Sequence, residues 1–401
     1  MGRAPAVDVS VVTSGHDVAD ARLHRQVIAL LHRGLSVEVL GLGRASDAPL
    51  GLDHVQVWAR RSPLRRAGLA AQMTARAQGR VLVTLDPDSA LAGAAVAAAR
   101  GRRLVVDAHE DYSALLRDRP WARRWHGLSG DLARVLVRGY LQVARGAALT
   151  VVADDDVPPL RARNRLVLPN VPYPGMLPPH AEPDASPRAV YVGDVRSSRG
   201  LFAMLDALTA APAWRCDVVG PVALADADEL ARRLSADPDL ASRVTFHGRR
   251  PPLRSWAEAP GAWCGLLLLA DTPAFRRAVP SKLHEYLACG LPVVSTDLPR
   301  QSAVLKASGA GALVPVGDDT TVGAAVADLL NAWAACPAPL LELRAHARAA
   351  SVGDEELHGH YDRFADAVAR LAATPTPPSP PGARPHTHRA HRLTRPRPRA
   401  D

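Results

Sequence analysis

The chain alternates short apolar runs rich in β-branched residues with longer stretches in which apolar positions recur close to helical spacing. Residues 7–12 form the first short run, and residues 18–32 form the first stretch of helical spacing. Gly34 suits the position that follows a helix. This alternation is typical of βα units and predicts a parallel sheet. The further strands predicted in this part are 37–40, 81–85, 104–107 and 149–152, and the further helices are 89–100 and 130–145.

The alternation stops between residues 168 and 187, where seven prolines occur. Neither a helix nor a central strand tolerates that density of proline, so this region is predicted to connect two domains. The alternation then resumes. The predicted strands of the second part are 189–192, 216–219, 244–247, 265–269 and 292–295, and its predicted helices are 201–210, 226–236 and 281–289.

The chain of 401 residues is longer than one hydrophobic core usually supports, which favours two domains. We expect an α/β architecture of two doubly wound parallel-sheet domains at residues 1–170 and 188–350, joined by a proline-rich linker at 171–187. An amphipathic helix is expected at 351–373. Residues 374–401 hold eight prolines and six arginines with almost no bulky apolar residue, which predicts disorder.

Composition narrows the classes of function. Apolar residues make up 47% and charged residues 22%, which is typical of globular proteins. The longest apolar runs are too short for a membrane helix and no secretory leader is evident, so we expect a soluble cytoplasmic protein. The four cysteines lie far apart, which argues against a zinc ribbon or a disulfide scaffold.

The net charge of +9 is concentrated at the carboxyl terminus. Six arginines against Asp401 give the segment 374–401 a charge of +5, so the predicted domains together carry only +4. The sequence therefore does not indicate nucleic-acid binding.

The strongest candidate site lies at residues 279–294. Pro280 suits a helix start, which places Ser281 and Lys282 in the first turn, where free N–H groups and the helix dipole favour an anion such as a diphosphate. Glu285 follows one turn later on the same face and could accept hydrogen bonds from two ribose hydroxyls. A short surface helix with an exposed glutamate is the alternative. Only two of the 49 basic residues are lysines, which favours a specific role for Lys282.

This segment resembles the donor-binding signature of retaining glycosyltransferases of family four, which adopt the GT-B fold of two facing Rossmann-like domains with a cleft between them. Three other stretches, 13–34, 105–112 and 190–201, are similar to the same family in order and spacing. The resemblance covers about residues 5–350. It also implies that the final helix braces the N-terminal domain.

The resemblance implies roles for residues that follow predicted strands, where open parallel sheets bind ligands. Gly193 begins a strand-to-helix loop in which Arg196 and Arg199 would clamp a diphosphate leaving group. The family usually carries a basic residue at the position of Arg199. It often has an arginine at the position of Asp194, for which Arg196 is the candidate substitute. Two solvated loop arginines are the alternative interpretation.

In the first domain, the resemblance implies that His109 faces the cleft near the transferred sugar. A histidine at a strand end is otherwise more often a capping or packed residue. Gly15 and His16 follow the first strand, where the backbone can approach phosphates or an acceptor. The family pairs Glu285 with a second glutamate eight positions earlier, where this chain has Arg277, so the contact with the donor sugar differs. An arginine could pair with an acidic sugar or with the diphosphate.

Two acidic motifs, Asp86-Pro87-Asp88 and Asp154-Asp155-Asp156, look like the metal-binding motif of other transferases, because hard cations need clustered oxygens. The resemblance nevertheless implies a metal-independent enzyme without a cofactor. We expect Asp88 to be the N-cap of the helix that follows it.

Together these observations predict a nucleotide-sugar-dependent glycosyltransferase that retains the anomeric configuration. Two alternatives remain: a nucleotide-sugar epimerase of the same fold, and a non-catalytic nucleotide-sugar-binding protein, which Arg277 favours. Sugar, base and acceptor are not assigned. The basic tail could hold the enzyme at an anionic membrane, or it could be an inert extension. The predicted catalytic residues are His109, Arg199 and Lys282, and the predicted substrate-binding residues are Gly15, His16, Gly193, Arg196, Arg277, Ser281 and Glu285.

Overall fold

A computed structural model describes residues 7–52, 54–112, 128–173, 176–352 and 355–374 of the chain. In these residues the strands form one sheet of seven and one of six, and every strand pair is parallel. The first sheet contains β1 (Val9–Asp17), β2 (Val37–Leu42), β3 (His54–Trp58), β4 (Val81–Thr84), β5 (Arg103–Ala108), β6 (Leu149–Val152) and β7 (Arg165–Val167). The second sheet contains β8 (Arg188–Val192), β9 (Arg215–Val219), β10 (Val244–Gly248), β11 (Cys264–Leu267), β12 (Val293–Thr296) and β13 (Gly311–Val314).

The strand orders locate the crevice of each sheet. The first sheet has the order β3-β2-β1-β4-β5-β6-β7 and the second β10-β9-β8-β11-β12-β13. The order therefore reverses between β1 and β4 in the first sheet and between β8 and β11 in the second. Ligands of open parallel sheets bind outside the carboxyl ends of the strands at such a reversal.

Helices connect the strands, and six of them begin with proline, whose missing N–H costs nothing in the first turn. The helices of the first half are α1 (Ala21–His32), α2 (Pro63–Arg76), α3 (Pro87–Arg100) and α4 (Leu128–Gly146). Those that follow are α5 (Leu201–Ala210), α6 (Ala227–Ala236), α7 (Pro238–Arg243), α8 (Pro252–Ser255), α9 (Pro273–Arg277), α10 (Ser281–Ala288), α11 (Pro299–Ser308), α12 (Asp319–Ala335), α13 (Ala338–Val352) and α14 (Glu355–Ala373).

The last helix packs on the first half of the chain. Tyr361, Phe364 and Val368 of α14 are fully buried in one hydrophobic cluster with Leu23 and Val27 of α1. Burial of large apolar side chains of this kind is the main favourable contribution to folding. The chain therefore returns to its first sheet after completing the second.

The segment between the two sheets also packs rather than running free through solvent. Leu168, Val171, Tyr173 and Met176 are buried in the core of the first half. Within the described residues, no single helix is long and apolar enough to cross a membrane; α12 and the first part of α13 pass that test only as a pair, bent by 102°.

Several element bounds differ from the sequence prediction. The strand β1 continues to Asp17, so α1 begins at Ala21 rather than at residue 18. The expectation for Asp88 is wrong: Asp86 is the N-cap of α3 and accepts a hydrogen bond from the Ser89 N–H, while Asp88 pairs with Arg66. Predicted disorder at 374–401 lies, beyond Thr374, outside the described residues.

Candidate active site in the cleft

A cavity of about 220 Å³ lies between the two halves of the chain. The start of α1 lines it on one side, and the carboxyl ends of β8 and β9 and the first turn of α10 line it on the other. It therefore lies at the carboxyl edge of the second sheet beside β8, one of the two strands that flank the reversal, and open parallel sheets bind ligands at this edge. Five of the ten predicted site residues line this cavity: Gly193, Arg199, Ser281, Lys282 and Glu285.

Two glycines at the carboxyl ends of β8 and β9 permit close contacts: Gly193 with the Lys282 side chain, and Gly220 with the Gly193 backbone. Gly193 has φ +133° and Gly220 has φ +147°, values that side chains rarely permit. A Cβ atom on Gly193 would lie 2.8 Å from Lys282 Nζ, and one on Gly220 would overlap the Gly193 carbonyl oxygen. Glycine at residue 193 thus leaves the room that the ammonium group occupies.

Lys282 is buried in the first turn of α10. Its side chain is 6% exposed, and Nζ lies 3.8 Å from the centroid of the Tyr191 ring. In the described part of the chain Nζ has no hydrogen-bond partner. Burial, reinforced by the charge of Arg199, holds the pKa of Lys282 well below its usual range, although Glu285 and Asp194 oppose the shift.

A second donor without a partner lies beside Lys282. Arg199 Nε is buried and, among the residues that the structure describes, makes no hydrogen bond. Buried donors are nearly always satisfied, and each unsatisfied one costs free energy. Two such cationic donors on one cavity, at the N-terminus of a helix, can hold an anion with several oxygens.

Glu285 lies one turn further along α10 and is ion-paired across the cleft. Its Oε1 accepts a hydrogen bond from Arg25 Nη1 of α1 at 2.8 Å, and both side chains are buried. Burial raises the pKa of Glu285 above its ordinary value, while Arg25, Ser281 and Lys282 act in the opposite direction. The carboxylate also lines the cavity, so it remains within reach of a ligand.

His16 and His109 form a second group, at the carboxyl edge of the first sheet. Their ring centroids are 5.1 Å apart. Burial disfavours the charged form of His16, but the hydrogen bond and charge of Asp20, whose Oδ2 lies 3.6 Å from Nδ1, outweigh it and raise the pKa of His16 to about 9. Burial lowers the pKa of His109, and the charge of Asp107 opposes this only in part. At neutral pH His16 is therefore charged and His109 is neutral.

Asp107, two residues before His109, is the centre of a buried polar network. Asp107 accepts hydrogen bonds from Arg22 Nε at 2.6 Å, from Arg22 Nη2 at 2.8 Å and from Gln26 Nε2 at 2.6 Å. The same arginine donates to the Leu168 carbonyl and to Asn170. This network ties the end of β5 to α1 and to the segment that leaves the first sheet.

Gly15 is held by the aspartate that caps α3. Asp86 Oδ2 accepts hydrogen bonds from the Ser14 and Gly15 N–H groups at 2.8 and 3.2 Å. Its carboxylate also accepts from the Ser89 hydroxyl and N–H. These contacts account structurally for the first aspartate of the acidic motif.

Gly15, His16 and His109 do not line the cavity, and neither do the two remaining predicted site residues. Arg196 is exposed and pairs with Asp194 at 3.0 Å. Arg277 is exposed at the end of α9, where its Nε donates to the Pro273 carbonyl at 3.3 Å. The structure thus does not bring either guanidinium group to the cluster of Lys282 and Arg199.

One acidic and histidine cluster has the spacing of a metal site. The ligand atoms of Asp217, His247 and Glu258 lie within 4.8 Å of one another. Arg250 donates to Glu258 at 2.5 Å and to His247 at 2.8 Å, and Arg188 donates to Asp217 at 2.9 Å. Two guanidinium groups would repel a cation here, so the cluster is best described as an ion-pair network that fixes Arg250 beside the cavity.

Several residues that line the cavity were not predicted from the sequence. Arg249 and Arg250 follow β10 and reach the cavity from the loop, which the position after a predicted strand could have signalled. Trp256 packs edge-on against Tyr286, with ring centroids 5.4 Å apart, and also lines the cavity. Asp20 falls within the stretch 13–34 that resembles the family, but it was not predicted as a site residue. No sequence pattern near Arg25 predicted its contact with Glu285.

Comparison with known proteins assigns the fold. Residues 186–332 match the family model described as Glycosyl transferases group 1. A search of curated protein sequences gave no match. Among solved structures, the chain is similar to sucrose-phosphate synthase from Thermosynechococcus elongatus, with 15% identity, a TM-score of 0.60, and 90% of this chain and 97% of that chain covered.

Two further structures give the same result. HepE from Anabaena, solved in complex with UDP and glucose, is 15% identical with a TM-score of 0.63, covering 91% of this chain and 100% of that one. WaaG, a glycosyltransferase involved in lipopolysaccharide biosynthesis, is 14% identical with a TM-score of 0.59, covering 90% and 99%. The predicted GT-B fold of two Rossmann-like parallel-sheet domains is therefore confirmed, and the family match together with these structures supports a glycosyltransferase.

Proposed function

We propose that the chain transfers a sugar from a nucleoside diphosphate sugar to an acceptor, with retention of configuration at the anomeric carbon. The observation that carries this proposal is the pair of buried cationic donors, Lys282 Nζ and Arg199 Nε, that lack partners in the described residues and line one cavity. A diphosphate supplies the negative charge and the oxygens that both groups need. The structures of HepE with UDP, with UDP and glucose, and with UDP-glucose make UDP-sugars the first donors to test.

Each part of the cavity then has a role toward the donor. The diphosphate lies against Lys282, Arg199 and the free N–H groups of the first turn at Ser281. The close approach at Gly193 allows the phosphate to reach the end of β8. Glu285, one turn away, accepts hydrogen bonds from the ribose hydroxyls.

Catalysis in this arrangement is mainly electrostatic. The bond between the anomeric carbon and the diphosphate oxygen breaks, and the two cations stabilise the charge that develops on the leaving group. The acceptor oxygen forms its bond on the same face of the sugar, and its proton passes to the departing diphosphate. No protein nucleophile is required, and closure of the cleft excludes water that would hydrolyse the sugar.

The first half supplies the acceptor side of the cleft. His109 is neutral and can therefore accept or donate a hydrogen bond to a sugar hydroxyl, whereas charged His16 favours an anionic or strongly polar group. We further propose that the reaction is metal-independent, because Lys282 and Arg199 already provide positive charge where the diphosphate binds. Activity that is unchanged by a chelator would agree with this, and activity restored only by a divalent cation would contradict it.

A calorimetric screen tests donor binding. UDP-, GDP-, ADP- and dTDP-glucose are titrated into the wild type, Lys282→Met and Lys306→Met, the last being a change at the only other lysine of the chain, which is exposed. We expect one donor to bind to the wild type and to Lys306→Met but not to Lys282→Met. Equal binding to all three proteins would remove Lys282 from the site, and binding of none by the wild type would refute the proposed function.

Product analysis separates the remaining classes of activity. A retained anomeric configuration in a glycosylated acceptor agrees with the proposal, and an inverted product contradicts it. Conversion of the donor alone would identify an epimerase. Tight donor binding without turnover on any acceptor would identify a binding protein.

We also propose a cytoplasmic location in which the basic tail contacts the inner face of an anionic membrane and brings the enzyme to a lipid-linked acceptor. Basic residues near such a surface contribute about 1 kcal/mol each. Liposome flotation compares the full chain with a truncation after Ala373. Equal partitioning of the two proteins onto anionic vesicles would exclude the tail as a tether.

A further inference from the structure

A buried ion pair joins the two halves of the chain at the cavity. Arg25 Nη1 of α1 donates to Glu285 Oε1 of α10 at 2.8 Å, across 260 positions of sequence. Their side chains are 3% and 9% exposed. A pair this well shielded is unlike a surface salt bridge, because removing either partner leaves an uncompensated buried charge.

The environment of Arg25 shows that this guanidinium is held in place from several sides. It lies over the ring of Tyr361 of α14, with its central carbon 5.9 Å from the ring centroid. The nearby charge of Arg22 opposes its ionised form, whereas Glu285 favours it. Its Nε has no hydrogen-bond partner in the described residues, so the contact with Glu285 is the main polar attachment of the side chain.

Arg25 contacts the Glu285 carboxylate without itself lining the cavity. The lining of the cavity, as far as the structure describes it, includes Glu285 but not Arg25. A carboxylate offers about four lone-pair directions. A guanidinium group that engages Oε1 from outside thus leaves directions open toward the cavity, where two vicinal hydroxyls can donate.

We propose that Arg25 is a positioning residue of the donor site, which orients the Glu285 carboxylate as the acceptor for the ribose hydroxyls of a nucleoside diphosphate. The inference rests on the proposed function. Because Arg25 belongs to the first half and Glu285 to the second, ribose recognition then requires both halves of the cleft in their closed arrangement. Diphosphate recognition by Lys282 and Arg199 needs only the second half.

The charged groups around Glu285 predict how replacement of Arg25 would change the pH dependence of nucleotide binding. The titratable or charged groups that face it are Arg25 from α1, and Lys282, Tyr286 and Cys289 on its own helix. Burial already raises the pKa of Glu285, and Arg25 is the strongest opposing charge. Without Arg25 the carboxyl group stays protonated to higher pH, so the pH dependence of ribose binding should move to higher pH than in the wild type.

The experiment compares two ligands that share the diphosphate, of which only the nucleotide carries a nucleoside, that is, the ribose with its base. UDP, or GDP or ADP if the wild type binds it more tightly, and inorganic pyrophosphate are titrated calorimetrically into the wild type, Arg25→Gln and Arg25→Lys. Arg33→Gln is the matched control, because Arg33 also pairs α1 with a carboxylate, that of Asp366, but at the exposed end of the helix. Thermal unfolding verifies that each variant is folded.

We expect Arg25→Gln to weaken the nucleotide on the order of tenfold, as for loss of one charge-assisted contact, and to leave pyrophosphate unchanged. The loss in Arg25→Gln should become smaller as the pH rises and Glu285 ionises, and Arg25→Lys should restore part of the affinity. In a Glu285→Gln background, Arg25→Gln should have no further effect, which also provides a test if the single variant folds poorly.

Other outcomes overturn the inference. Equal nucleotide affinity in the wild type and Arg25→Gln, or an equal loss for nucleotide and pyrophosphate, would show that Arg25 does not act through the ribose. A loss that does not change with pH would also contradict it. If the wild type binds neither ligand, the proposed function itself fails, which is a result distinct from the failure of Arg25 alone.

Discussion

Replacing Lys282 by methionine should stabilise the ligand-free protein while abolishing donor binding. Methionine keeps the length of the lysine stem, removes the ammonium group and still packs well against an aromatic ring such as that of Tyr191. Lys282 is 6% exposed in the wild type, and its ammonium group has no hydrogen-bond partner in the described residues. The protein therefore carries the cost of a buried charge until an anion binds.

The structure sets the expected size of this effect. Each unit by which the pKa of Lys282 is depressed costs about 1.4 kcal/mol relative to the unfolded chain. Replacing buried ionic groups by apolar residues typically gains about 1–4 kcal/mol. Because 1 kcal/mol moves Tm by about 2–4 °C in domains of this size, the gain should be readily measured by thermal unfolding and urea denaturation. Lys306→Met, at an exposed site of α11, should leave Tm unchanged.

The dependence on pH distinguishes this explanation from improved packing. The pKa of Lys282 is lower in the folded protein than in the unfolded chain, so between the two values the unfolded state binds more protons. Stability of the wild type therefore rises with pH in that range, and the advantage of Lys282→Met should narrow toward about pH 10. A variant that is less stable than the wild type at neutral pH, or whose advantage does not change with pH, would refute the reasoning.

Three further predictions concern residues around the cleft. Gly193→Ala should lower the free energy of unfolding by about 1–3 kcal/mol in urea denaturation and weaken nucleotide binding, because the residue has φ +133° and the new Cβ would meet Lys282 Nζ. Phe364→Ala, in the fully buried face of α14, should cost about 3–5 kcal/mol, and a loss below 1 kcal/mol would show that α14 does not brace α1. Protonated His16 pairs with Asp20, and its pKa is raised to about 9. This stabilisation is complete below about pH 6.5 and disappears as the pH rises through about 9, so His16→Asn should flatten the fall of Tm over that range.

The sequence predicted the parts of the site that depend on local rules. Lys282 and Ser281 lie in the first turn of a helix, and Gly193 follows a strand, so helix-start and strand-end patterns were enough to find them. The pairing of Arg25 with Glu285 joins residues 260 positions apart, and only the packing of the two halves brings them together. Local pattern could therefore place Glu285 one turn after Ser281, but it could not identify the partner that Glu285 has across the cleft.

For the fold, too, local pattern predicted some elements and missed others. Strands such as β4 and β6 are buried along their whole length and consist mostly of apolar residues, which the pattern identified. The edge strands β3 and β7 are at most half-buried and carry polar residues, and neither was predicted from the sequence. Arg196 was selected by analogy with a family position, and the structure instead pairs it with Asp194.

The return of α14 to the first sheet determines the order in which the molecule can be completed during synthesis. Domains generally fold as they leave the ribosome, amino-terminal part first. Here the core of the first half includes Tyr361, Phe364 and Val368, which are among the last residues that the structure describes. The nascent first half must therefore wait, with the apolar face of α1 uncovered, until the second half has been translated. For the same reason, no single cut in the chain yields two complete domains, and a chimera with a related protein has to exchange the second half between two junctions.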